Sequence, residues 1–155
     1  MLHKHRKVSH VSNQPTARIL IVEEETTVTP ELISIIRSKA AEGGVQFRVV
    51  VPNPAPSEIH LLHPERHEKA AQAEHTLRAA IPQLEDAAGG PVIGTVSVRH
   101  DPMDAIEDVL FNEPIDEIVL SVTTHTIARW LHQDLQSRLK HYGIPVTTIH
   151  AEGKA

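Results

Sequence analysis

At 155 residues with no cysteine, the chain matches one ordinary domain that must cohere by burial alone, without disulfides or thiolate metal sites. The formal net charge of −5 is uneven: residues 1–16 carry Lys4, Arg6 and Lys7 and no acid, which leaves −8 on the remainder. So acidic a body repels nucleic acid, whose affinity comes chiefly from Lys and Arg, and aromatics at 3% supply no stacking platform for single strands.

The N-terminal segment 1–16 has no apolar core of a secretory signal and reads as a solvated, disordered basic tail. No apolar run approaches the ~20 residues that cross a bilayer. The expectation is a cytoplasmic protein with no membrane partner. "ARILIV" (17–22) is a short run of mostly branched apolar residues without polar alternation, the pattern of a strand buried on both faces. "EEETTV" follows as a loop. Thr29 then reads as an N-cap, with Pro30 at the first helical position and Glu31 beside the positive helix end. Leu32, Ile33, Ile36 and Ala40 share one face, and Gly43-Gly44 ends the helix.

"VQFRVVV" (45–51) is the second strand. In "PNPAPSEIHLLHP" the prolines at 52, 54, 56 and 64 prevent regular structure, so this is a long connection, a lid or a packed surface loop. A long helix is expected over 65–88, with Ala70, Ala73, Leu77, Ala80, Leu84 and Ala88 on one face. Pro82 lies inside it and predicts a kink or a helix in two parts. "PVIGTVSVR" (91–99) is a third strand, with Gly94 a candidate bulge. Asp101 then caps a helix that starts at Pro102 and turns Ile106, Val109 and Leu110 inward. "DEIVLSV" (116–122) is the fourth strand. A helix over 126–142 follows, with Ile127, Leu131, Leu135 and Leu139 in register, Gly143 stops it, and "PVTTIH" (145–150) is the fifth strand.

Strands alternating with helices specify a three-layer α/β/α domain with a five-stranded parallel sheet, because right-handed crossovers place helices on both faces. Ligands of such sheets bind beyond the carboxyl ends of the strands, where the strand order reverses. That directs attention to the loop after strand one and to its neighbour, after strand three or after strand four at "SVTTHTIARW", depending on strand order. There Ser121, Thr123, Thr124 and Thr126, with His125 and Arg129, can coordinate an anion at a helix N-terminus, or Thr124 or Thr126 can simply cap the helix. His60, His63 and His67 lack the spacing that fixes a tetrahedral site, so no metal is expected. Trp130 reads as core or interface packing. No nucleophile elbow, Walker loop or Gly-x-Gly-x-x-Gly is present, so no catalytic residue is assigned and no enzyme is expected beyond weak ATPase activity. A receiver-like arrangement would need Glu23 and Glu24 after strand one, Asp101 after strand three and Ser121 or Thr123 after strand four, but no lysine follows strand five until Lys154.

"RILIV" as opening strand, "HDPMDAIEDVL" before the third helix, "DEIVLSV" and the closing "YGIPVTTIH" together resemble the universal stress protein family, over residues 17–151. The resemblance implies the adenine nucleotide alpha hydrolase-like fold with strand order 3-2-1-4-5, whose switch point lies between strands one and four. It also implies a homodimer paired through strand five, with Val146 and Thr148 on the edge. ATP-binding members carry Gly-x2-Gly-x9-Gly-Ser/Thr after strand four, where glycine brings backbone amides against the phosphates. Here the last pair falls near His132-Gln133, and residues 121–142 contain no glycine. The family's aspartate at the end of strand one is replaced by Glu23, followed by Glu24 and Glu25, and three carboxylates repel a triphosphate. The candidate ligand residues are Glu23, Val50, Ser121, Thr123, Thr124, His125, Thr126 and Arg129. The expected function is a stress-protein-like binding or signalling module that does not bind ATP and has no firm cofactor. An ATP- or AMP-binding protein, with magnesium, that uses the hydroxyls and Arg129 is the alternative, and a receiver-like or purely structural dimerisation domain the second.

Overall fold

The computed structural model describes residues 17–24, 28–52, 64–97, 102–132 and 135–150. The tail 1–16, most of the proline-rich connection with His60 and His63, and Asp101 lie outside the described residues, and so do the side chains of His67, Ala70, Arg129, Trp130, Leu131 and Leu135. Strand β1 spans Ala17–Glu23, helix α1 Pro30–Ala41, β2 Val45–Val51, α2 Pro64–Ala88 and β3 Ile93–Val96. Then come α3 Pro102–Asn112, β4 Glu117–Val122, α4 Thr124–His132, α5 Leu135–His141 and β5 Val146–His150. The sheet is all parallel, in the order β3-β2-β1-β4-β5.

The central strand shows why the apolar run does not alternate. Ile19 and Ile21 enter a core with Leu32 and Ile36 of α1 and with Ala80 and Leu84 of α2. Leu20 and Val22 enter a second core on the other face, with Met103, Ile106 and Val109 of α3 and Leu139 of α5. Each such side chain contributes about 1.5–3 kcal/mol on full burial, so a polar residue at 19–22 is excluded on either face. Thr29 Oγ1 accepts from Leu32 N at 3.2 Å and caps α1 as expected. Gly43 and Gly143 adopt positive φ directly after α1 and α5, the conformation that lets a helix stop.

Four expectations are corrected. The helix after β4 begins at Thr124, not 126. Strand β3 is limited to four residues. Gly94 makes no bulge, since Arg48↔Ile93 through Val51↔Val96 pair without an extra residue. Its missing side chain admits α2 instead: a Cβ there would stand 2.7 Å from Leu77 Cδ1 and 2.9 Å from Ile81 Cδ1. Finally, α2 is one helix through Pro82, which lies on its exposed side, so the reading as a helix in two parts is overturned.

Candidate functional site

The strand order reverses between β1 and β4, so the crevice at their carboxyl ends is the place where this fold positions a ligand. Glu24, one residue past β1, extends the β1–β4 pairing by donating its N–H to Ser121 O at 3.2 Å. That anchor aims its carboxylate at the start of α4. Oε1 accepts from Thr123 N at 2.9 Å, and Oε2 accepts from Thr126 Oγ1 at 2.5 Å. Thr123 in turn caps α4, its Oγ1 accepting from Thr126 N at 3.2 Å, while Ile127 N reaches Thr123 O at 3.0 Å.

The capping expectation therefore holds in kind and shifts in residue, from Thr124 or Thr126 to Thr123. Thr126 is almost fully buried and serves Glu24, while Thr124 and His125 are exposed on the first turn of α4. A helix N-terminus favours negative charge through its aligned dipoles and unpaired N–H groups. Here the negative charge comes from the chain itself. Glu24 stood in the sequence as one of three acids expected to repel a phosphate and as one of the acids a receiver-like arrangement would need. The available signal was an acid directly after a strand and a Thr-rich helix start directly after another, and only the strand order joins the two.

The other candidates go to different places. Glu23 and Ser121 are in register on adjacent strands. Both are 0% exposed, and alternation from Ile21 and Val119 puts them on the α1–α2 face. Ser121 Oγ has no hydrogen-bond partner among the described residues. Val50 faces the opposite core and lines a cleft of about 270 Å³ with Arg48, Thr95 and Ser97 on the sheet and Ala105 and Asp108 on α3. Arg48 is one of its lining residues, with Nε 2.9 Å from Glu113 Oε2 and Nη1 2.8 Å from Val49 O. The candidates whose side chains are described thus do not gather at one place. Thr123 and Thr126 meet at Glu24, Glu23 and Ser121 pair beneath α1 and α2, and Val50 stands apart.

Among the described residues no three His, Asp or Glu side chains are grouped to hold a metal. No helix among them is long and apolar enough to cross a membrane. The receiver-like alternative does not survive the topology. That fold orders its strands 2-1-3-4-5, whereas this sheet runs 3-2-1-4-5.

The fold finds a counterpart in the structure of a universal stress protein from Archaeoglobus fulgidus, with a TM-score of 0.58 over 90% of this chain and 98% of that one. Identity is 19%, so the likeness is one of fold. No protein-family model matches the chain, and no curated protein does.

Proposed function

We propose that the chain is a universal-stress-protein-like binding or signalling module, cytoplasmic and homodimeric through β5, that does not hold ATP in the manner of the glycine-bearing members. One observation carries this: the donors at the start of α4, Thr123 N–H and Thr126 O–H, are already bonded to Glu24. A triphosphate would have to displace that carboxylate and lie beside it. Desolvated like charges at contact distance repel by several kcal/mol. The exposed edge strand β5 supports the dimer, because an uncovered edge is a template for pairing with a second copy. No catalytic step is assigned to any residue.

Thermal denaturation with ATP, AMP, adenosine and cyclic nucleotides, with and without magnesium, tests the proposal. A ligand at 100 times its dissociation constant adds about 2.7 kcal/mol, which moves the midpoint by several degrees. The expected result is no shift at millimolar nucleotide. An ATP-dependent shift abolished by Arg129→Ala would instead establish the nucleotide-binding alternative.

A further inference from the structure

We infer that the open cleft between α3 and the β2–β3 face of the sheet is a dock for the chain's own basic N-terminal segment, residues 1–16. An all-parallel sheet is ordinarily covered on both faces, and this one is left partly bare. Gly94 meets α2 on one side of β3, so alternation turns Ile93 and Thr95 to the side of α3. There α3 packs Met103, Ile106 and Val109 over the inner strands and leaves β3 open. Ile93 is 48% exposed, and Thr95 is exposed as well. Phe111, next to Asn112 of the cleft, is 81% exposed. An open apolar surface within a polar rim marks a place of interaction.

Charge says which partner fits. Residues 102–117 carry Asp104, Glu107, Asp108, Glu113, Asp116 and Glu117 and no Lys, Arg or His. Arg138, Arg48 and Lys39 pair with Glu107, Glu113 and Glu117, so six acids against three paired cations leave this strip a net charge of −3. Residues 1–16 carry +3 on Lys4, Arg6 and Lys7, interleaved with the apolar Leu2, Val8 and Val11. The point where this segment joins the fold also fits. Arg18 N–H donates to Asp116 Oδ2 at 2.8 Å, and Asp116 N–H donates to Arg18 O at 2.8 Å. The segment therefore leaves the body beside Asp116, three residues from Glu113 of the cleft. Sixteen residues reach about 50 Å, whereas the cleft follows α3 from Ala105 to Asn112 for only about 10 Å. A tether of this kind presents its end at an effective concentration of about millimolar, so a contact too weak for a free peptide forms within the chain.

The chain has no cysteine, so Ser9→Cys in the full chain takes a single nitroxide label, and the readout is loss of amide signal in magnetic resonance spectra. The expected result is selective loss at Ile93, Thr95 and Asn112, with the amides of Arg37 and Ser38 on the exposed flank of α1 unaffected. Reversing the segment's charge, with Lys4→Glu, Arg6→Glu and Lys7→Glu together, should restore those signals. So should salt at about 1 M, where a charge reaches only ~3 Å. The variants alter only residues before β1, and the spectrum of the body itself reports that the fold is kept. Loss spread evenly over both faces of the sheet, or selective loss that persists after charge reversal, would overturn the inference. Mixing the labelled chain with an isotope-enriched chain that carries no label should give no loss. The same pattern in that mixture would put the segment on a second copy and overturn it as well. None of these readouts involves a nucleotide, so the proposed function stands or falls separately.

Discussion

Tyr142, the single tyrosine, reports on its own surroundings at the end of α5. Its Oη donates to Glu107 Oε2 at 2.7 Å, and Arg138 Nη2 stands 3.2 Å from Glu107 Oε1. The hydrogen bond to Glu107 holds the phenol above its ordinary value of 10.0, with desolvation and the Glu107 charge acting the same way. Because the protonated phenol is the favoured form in the fold, its contribution to stability is complete below the ordinary value and is lost as the pH rises through the folded-state value. Titration of the phenolate by ultraviolet absorbance should show a midpoint above 10.0 in the native chain, and Glu107→Ala should bring it back toward the ordinary value. An unchanged midpoint in the variant would remove Glu107 as the cause. Glu24 belongs to this scale as well, since a carboxylate bonded to an N–H and a hydroxyl does locally what no apolar substitute can do.

Among the elements, β3 and α2 show how small a residue a contact can require. Gly94 sits where the Leu77 and Ile81 side chains of α2 lie against the sheet, and the atoms nearest an added Cβ are methyl tips that can rotate away. Gly94→Ala is therefore expected to cost less than about 1 kcal/mol, and Gly94→Val about 1–3 kcal/mol through overpacking. Urea denaturation with a constant slope measures both, and equal stability of the two variants would count against the close approach of helix and strand. The hydrophobic periodicity of α1, α2 and α3 was legible, because Leu32, Ile36, Ala80, Leu84, Ile106 and Val109 recur at helical spacing and all are buried. Gly94 was misread as a bulge because a glycine inside a strand has two physical causes, and spacing along the chain does not separate them.

For the molecule as a whole, the open question is the free edge of β5. Ile118 N bonds Pro145 O, so alternation along a parallel pair turns residues 145, 147 and 149 toward β4 and leaves the N–H and C=O of Val146 and Thr148 facing outward. Val146, Thr147 and Thr148 are all exposed. Thr148→Pro removes an outward donor while sparing the bonds to β4, so it should convert a dimer to a monomer in light scattering without unfolding the sheet. An unchanged mass would exclude pairing through this strand.

The order of strands and helices, the two-sided burial of β1 and the caps at Thr29, Gly43 and Gly143 could be derived from the amino-acid sequence, because each depends on neighbours within a turn or two of chain. The site could not. Which acid meets which helix end depends on strand order and register, and these brought Glu24 to Thr123 and Thr126 across about a hundred residues. No local pattern encodes that meeting. It follows from the packed sheet, which fixes the end of β1 beside the end of β4 and so closes the start of α4 with the chain's own charge.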